Sequence, residues 1–112
     1  MKILIVDDSK KARQMIRQFL NSSVNETQEC DDGEKALASY RKFLPDWVLM
    51  DWEMGQVNGL TATMQIINEF PQAKILIVTN YDENDLRQAA QKAGAKGFIL
   101  KDDLISLNDF LK

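Results

Sequence analysis

Asp7, Asp8, Asp51, Thr79 and Lys101 are the residues of this chain best suited to chemistry, and each stands at the end of an apolar run. Asp7-Asp8 closes Ile3-Leu4-Ile5-Val6, and Asp51 closes Trp47-Val48-Leu49-Met50. Thr79 closes Ile75-Leu76-Ile77-Val78, and Lys101 closes Gly97-Phe98-Ile99-Leu100. Runs that are apolar at every position are what strands buried on both faces of a parallel sheet look like. Ligands of open parallel α/β sheets bind just outside the carboxyl ends of the strands, so these groups are expected to share one edge. Three carboxylates that close together cannot all stay ionised without compensation. A hard divalent cation such as Mg2+, which takes oxygen ligands, would supply it, and Lys101 adds a second positive charge. A carboxylate flanked by a metal and an ammonium suits attack on phosphorus, giving an aspartyl phosphate. The cation, Lys101 and the Thr79 hydroxyl could each hold one equatorial oxygen of the transferred group.

The elements needed to position these groups are legible between the runs. Asp8-Ser9 precedes Ala12, Met15, Ile16, Phe19 and Leu20, the spacing of one buried helical face. Asp31 stands three residues before Glu34, a capping-box variant opening a helix expected to bury Leu37, Tyr40 and Leu44. Asn58-Gly59 introduces Leu60, Met64 and Ile67, and Pro71 closes that segment. Asp82 is the expected cap for Leu86, Ala89, Ala90 and Ala93, with Gly94 at the left-handed C-terminal position. Asp102-Asp103 opens a last short helix carrying Leu104, Leu107 and Leu111. The second strand, Thr27 to Cys30, is the most polar, as an edge strand can be. The order is βα repeated five times, which predicts an α/β fold: a five-stranded parallel sheet, doubly wound, with helices on both faces.

Composition narrows the function classes. A chain of 112 residues is expected to be one domain, spanning 1–112. Its net charge of −3 offers no basic surface, which argues against direct nucleic-acid binding. No apolar run approaches the roughly 18 residues of a membrane-spanning helix, so no membrane role is expected. A single cysteine, Cys30, cannot form an internal disulfide and points to the reducing cytoplasm, with Cys30 itself a core thiol. The absence of histidine excludes histidine-based catalysis and a phosphohistidine within the chain. A flavodoxin-like cofactor binder would share the topology, but Asp7-Asp8-Ser9-Lys10 is the wrong chemistry for a phosphate loop. A haloacid-dehalogenase-type phosphatase would need a second acid two residues after its nucleophile in a D-x-D motif, and Glu53 stands there.

Along its whole length the sequence resembles the receiver domains of two-component response regulators. Asp7-Asp8 is similar to the acidic metal-binding pair, and Asp51 to the phosphoacceptor, followed by Trp52-Glu53-Met54 and Asn58-Gly59-Leu60. Thr79 resembles the hydroxyl switch residue, and Gly94-Ala95 through Phe98 to Lys101 the fifth-strand motif. Val78-Thr79-Asn80-Tyr81-Asp82 and Leu100-Lys101-Asp102-Asp103-Leu104 are most similar to receivers of regulators with a helix-turn-helix output domain. The resemblance implies flavodoxin-like strand order 2-1-3-4-5. It further implies a metal ligand in the main-chain carbonyl of Glu53 and a switching aromatic in Phe98. The expected partners are a sensor histidine kinase or phosphotransfer protein, a downstream output partner, and a second copy of the chain on phosphorylation. The alternative is a pseudo-receiver, the same fold acting as a phosphorylation-independent interaction module. Two departures concern loop geometry: Gly55 replaces the family's usual proline, and Lys101 precedes Asp102 instead of a proline in a cis bond. The Lys101–Asp102 bond is therefore expected to be trans, because a non-proline cis bond costs roughly 2.5–4 kcal/mol.

Overall fold

A computed structural model describes residues 1–54 and 57–111. Five strands, β1 (Lys2–Val6), β2 (Glu26–Cys30), β3 (Trp47–Asp51), β4 (Ile75–Thr79) and β5 (Gly97–Leu100), form one sheet in the order β2-β1-β3-β4-β5. All four pairings are parallel. The helices are α1 (Lys10–Phe19), α2 (Ala36–Phe43), α3 (Gly59–Glu69), α4 (Asn84–Ala93) and α5 (Leu107–Phe110). Fold class, strand order and the polar edge strand all match expectation. Gly55 lies outside the described residues. No peptide bond among the described residues is cis, so Lys101–Asp102 is trans.

Because successive residues of a strand point to opposite faces, the apolar runs feed two cores at once. Leu4, Val6, Val48, Met50, Ile75 and Ile77 pack with Tyr40, Phe43, Ala62, Ile66 and Ala90 under α2, α3 and α4. Ile3, Ile5, Leu49, Leu76, Val78 and Ile99 pack with Ile16 of α1 and with Leu104, Leu107 and Leu111 of the C-terminal segment. Cys30 is buried in the first core, as expected of a structural thiol.

The helix faces differ from the apolar stripes in instructive ways. In α1 only Ile16 is buried, while Met15 and Phe19 are exposed. In α3 the buried face is Gly59, Ala62, Thr63 and Ile66, and Met64 is 54% exposed. Small residues face the sheet because the helix lies close upon it; a search for large apolar residues selects the neighbouring stripe. Leu44 is also exposed, because it is the left-handed C-cap of α2 (φ 49°) and not part of its buried face. The helix starts shift too. Asp32, not Asp31, accepts the Glu34 N–H, and it caps a 3₁₀ turn (Gly33–Lys35) leading into α2. At α4 the cap position is Glu83, and Asp82 instead pairs with Arg87. Asp102-Asp103 lies within a 3₁₀ segment, Lys101–Ser106, that precedes the single turn of α5. Gly94 holds the expected left-handed C-cap (φ 104°), where a Cβ would also sit 3.0 Å from Ile67 of α3.

The α3 assignment yields a direct test by urea denaturation. Ile66→Ala should cost about 2–5 kcal/mol of stability, as truncation in a close-packed core does. Met64→Ala should stay within about 0.5 kcal/mol, as surface substitutions do. Equal losses at the two positions would contradict the face described here.

Candidate functional site

Neighbouring parallel strands bring their C-terminal residues into register, and the chemistry-bearing groups follow from that. Val6 pairs with Met50, so Asp7 emerges beside Asp51, the last residue of β3. Asp51 pairs with Val78 and Thr79 with Leu100, which places Thr79 and Lys101 on the far side of the same edge. Together with Asp8, Glu53, Asn80 and Tyr81 they line a cleft of about 400 Å³. The five residues singled out in the sequence are thus brought together. Phe98 is not in the cleft: its half-buried ring packs on the α2–α4 core, with the Arg87 guanidinium 4.6 Å from its centroid.

The balance of charge is tight. Asp7, Asp51 and Thr79 are buried, whereas Asp8 is exposed. Carboxylate oxygens of Asp7, Asp8 and Asp51 lie within 4.8 Å of one another. The Lys101 ammonium bridges two of these acids, 2.8 Å from Asp7 Oδ2 and 3.1 Å from Asp51 Oδ1. Asp7 is the closer of its two partners. Burial, reinforced by the charge of Asp7, raises the Asp51 carboxyl to a pKa of about 6 against the opposing pull of Lys101. Burial alone would lower the pKa of Lys101, but its two acidic partners outweigh that and hold it above the ordinary lysine value.

Local structure holds each group in place. Ser9 caps α1 by accepting the Ala12 N–H, and its own N–H donates to Asp7 Oδ1 at 2.9 Å. Asn58 caps α3 through the Thr61 N–H, and Gly59 N–H donates to the Trp52 carbonyl at 2.7 Å. A Cβ at Gly59 would lie 1.9 Å from the Asp51 carbonyl oxygen, so only glycine allows this approach. Thr79 Oγ1 accepts the Tyr81 N–H at 3.3 Å, which among the described residues leaves its own O–H free to donate. Tyr81 Oη–H donates to Glu53 Oε2 at 2.7 Å across the cleft. Tyr81 carries no periodic or motif signal of this role. That of Gly59 shows only as an Asn-Gly pair at a helix start.

The acidic cluster fits a hard divalent cation. Three carboxylates offer oxygens at mutually compatible distances, and among the described residues buried Asp7 Oδ2 has no hydrogen-bond partner beyond its ion pair with Lys101.

The family model for the response regulator receiver domain matches residues 3–111. This chain belongs to that family. It is 32% identical over 103 residues to the transcriptional regulatory protein DegU of Brevibacillus brevis, covering 90% of this chain and 44% of DegU. The chain thus spans about half the length of this relative. A two-component response regulator of the LuxR family from Aurantimonas sp. SI85-9A1 superposes with a TM-score of 0.89 at 30% identity, covering 96% of this chain and 79% of that one. A chain of the CheX-CheY-BeF3-Mg2+ complex of Borrelia burgdorferi superposes with a TM-score of 0.88 at 26% identity, covering 99% of this chain and 86% of that one. Among the described residues no helix is long and apolar enough to cross a membrane.

The raised pKa of Asp51 has a sign that stability measurements can read. The folded chain binds this proton more readily than the unfolded one, whose aspartates titrate near 3.9. The contribution of Asp51 is therefore full below about pH 4 and is lost as pH rises through about 6. In chelator, Asp51→Asn should stabilise the fold at pH 7.5 by on the order of 1–3 kcal/mol, with the gain vanishing toward pH 4. A pH-independent difference in chemical denaturation would contradict this.

Proposed function

We propose that this domain is a phosphorylation-dependent switch in which Asp51 accepts a phosphoryl group from the phosphohistidine of a sensor histidine kinase or phosphotransfer protein. The observation that carries the reading is the position of Asp51: buried at the end of the central strand, within ion-pair distance of Lys101 and beside two further acids. An Asp51 carboxylate oxygen attacks phosphorus as the P–N bond breaks, and the electron pair leaves with the imidazole. Lys101, already at the cleft, passes from Asp51 to an oxygen of the transferred group. The free Thr79 O–H donates to another, which draws the loop carrying Asn80 and Tyr81 inward.

Asp7, Asp8 and Asp51, with the main-chain carbonyl of Glu53, would hold Mg2+. When bound, the cation neutralises the acidic cluster and stabilises charge on the phosphoryl oxygens. The relative crystallised with Mg2+ and BeF3 supports this assignment. Phosphorylation would shift a two-state equilibrium in which Thr79 and Phe98 take part. An output partner or domain would read the shift, as expected from kinship with transcriptional regulators, and a homodimer is one form the active state can take. The donor and the lone buried thiol both fit a cytoplasmic setting.

Incubation with acetyl phosphate and Mg2+, followed by intact-mass measurement, tests the reading. One labile phosphoryl adduct is expected, absent from Asp51→Asn and from chelator-treated protein. Lys101→Ala should retain part of the adduct but lose the change in partner binding. No adduct on the wild type would make the domain a phosphorylation-independent interaction module instead.

A further inference from the structure

We infer that Arg13 and Glu29 form a positioning pair that fixes the main chain at Asp7, and through it the acidic pair, for cation binding. The inference rests on the assignment of Asp7 and Asp8 as cation ligands made above. Arg13 lies on α1, one turn beyond the Ser9 cap, with its side chain only 13% exposed. Its Nη1 donates to the Asp7 carbonyl oxygen at 2.6 Å, and its Nε donates to Glu29 Oε1 at 2.7 Å. The other Glu29 oxygen is taken by Arg17, one turn further along α1. One planar guanidinium thus bridges the end of β1 to the edge strand β2, a double role that a lysine ammonium cannot reproduce.

The position of that carbonyl makes the contact more than an edge ion pair. The β1–β2 ladder ends at Val6 and Cys30, and the Asp7 N–H donates to the Cys30 carbonyl at 3.0 Å. On the other side of the residue the chain turns out of the sheet toward Asp8 and α1, where no strand pairing holds it. Arg13 secures the peptide at this exit. Ser9 N–H and Lys101 hold the two carboxylate oxygens of the same residue. All the polar atoms of Asp7 are therefore held, and the Arg13 contact is the one that can be removed without altering a strand or a group lining the cleft. Releasing it frees the peptide that joins Asp7 to Asp8 to rotate. The two carboxylates then lose their fixed separation, and Mg2+, which demands near-ideal octahedral geometry, binds more weakly.

The test is Mg2+ affinity by calorimetry on the wild type, Arg13→Met, Arg13→Lys, Glu29→Gln and Asp8→Ala, each confirmed folded by circular dichroism. Arg13→Met should weaken Mg2+ binding about tenfold, the low end of what loss of a group supporting a metal ligand costs. Arg13→Lys should recover part of the loss, since an ammonium can reach the carbonyl or Glu29 but not both. Glu29→Gln, which keeps Arg13 and loosens its anchor, should give a smaller loss in the same direction. With acetyl phosphate, Arg13→Met should raise the Mg2+ concentration for half-maximal phosphorylation and leave the rate at saturating Mg2+ near that of wild type. Wild-type Mg2+ affinity in Arg13→Met, beside a clear loss in Asp8→Ala, would overturn the positioning role alone, even if thermal stability fell. Undiminished affinity in Asp8→Ala would overturn the cation assignment and this inference with it.

Discussion

The structure is organised around the electrostatic cost of gathering three carboxylates at one edge of a parallel sheet. The sheet makes the gathering unavoidable: β1 and β3 are neighbours in register, so the acids at their carboxyl ends must meet. Two of the three acids are also buried, where charge is costly and mutual repulsion is poorly screened. One ammonium, reaching over from the end of β5, opposes them by pairing with two acids at once. That leaves the cluster net negative, which is the condition for recruiting further positive charge. A neutral edge would need no cation, and a fully paired one would have no place for it.

Such a cluster is tolerable only on a rigid frame, and packing supplies it. The apolar strands are covered on both faces, so the ends that carry the acids cannot splay apart to relieve repulsion. Gly59 lets α3 press against the Asp51 carbonyl, and the Ser9 cap and Arg13 hold Asp7 from the side of α1. The far side of the cleft is lighter. Thr79 and Tyr81 are joined by one 3.3 Å bond, and Tyr81 reaches the exposed Glu53 by another. Each of these bonds involves a side chain, whereas Asp7 is also held by a main-chain bond to Cys30.

The same contrast separates the two aromatic groups of that side. Tyr81 belongs to the cleft, through Glu53 and the Thr79 hydroxyl. Phe98 belongs to the core beneath α4, and Arg87, itself paired with Asp82 in the loop after β4, lies over its ring. A line of contacts thus runs from Thr79 through that loop to Arg87 and the β5 aromatic.

What could be read from the sequence was whatever depends on local chemistry alone. Fully apolar runs are strands buried on two faces, and polar residues ending them lie at the ligand-binding edge, so the α/β fold, Asp7, Asp8, Asp51, Thr79 and Lys101 were legible together. Gly94 was legible because left-handed backbone favours glycine wherever it occurs. What lay beyond reach depends on which surfaces meet. Met64 and Ile66 are both apolar and two residues apart, and only the approach of α3 to the sheet decides that Ile66 is the buried one. The step from Asp31 to Asp32 at the start before α2, and from Asp82 to Glu83 at α4, turns on backbone angles that neighbouring acids leave undecided. Lys101 bridging Asp7 as well as Asp51, Arg13 on the Asp7 carbonyl and Tyr81 on Glu53 join residues distant in sequence or on separate elements. Such contacts are set by tertiary geometry, because a long polar side chain takes whatever partner the fold brings within reach.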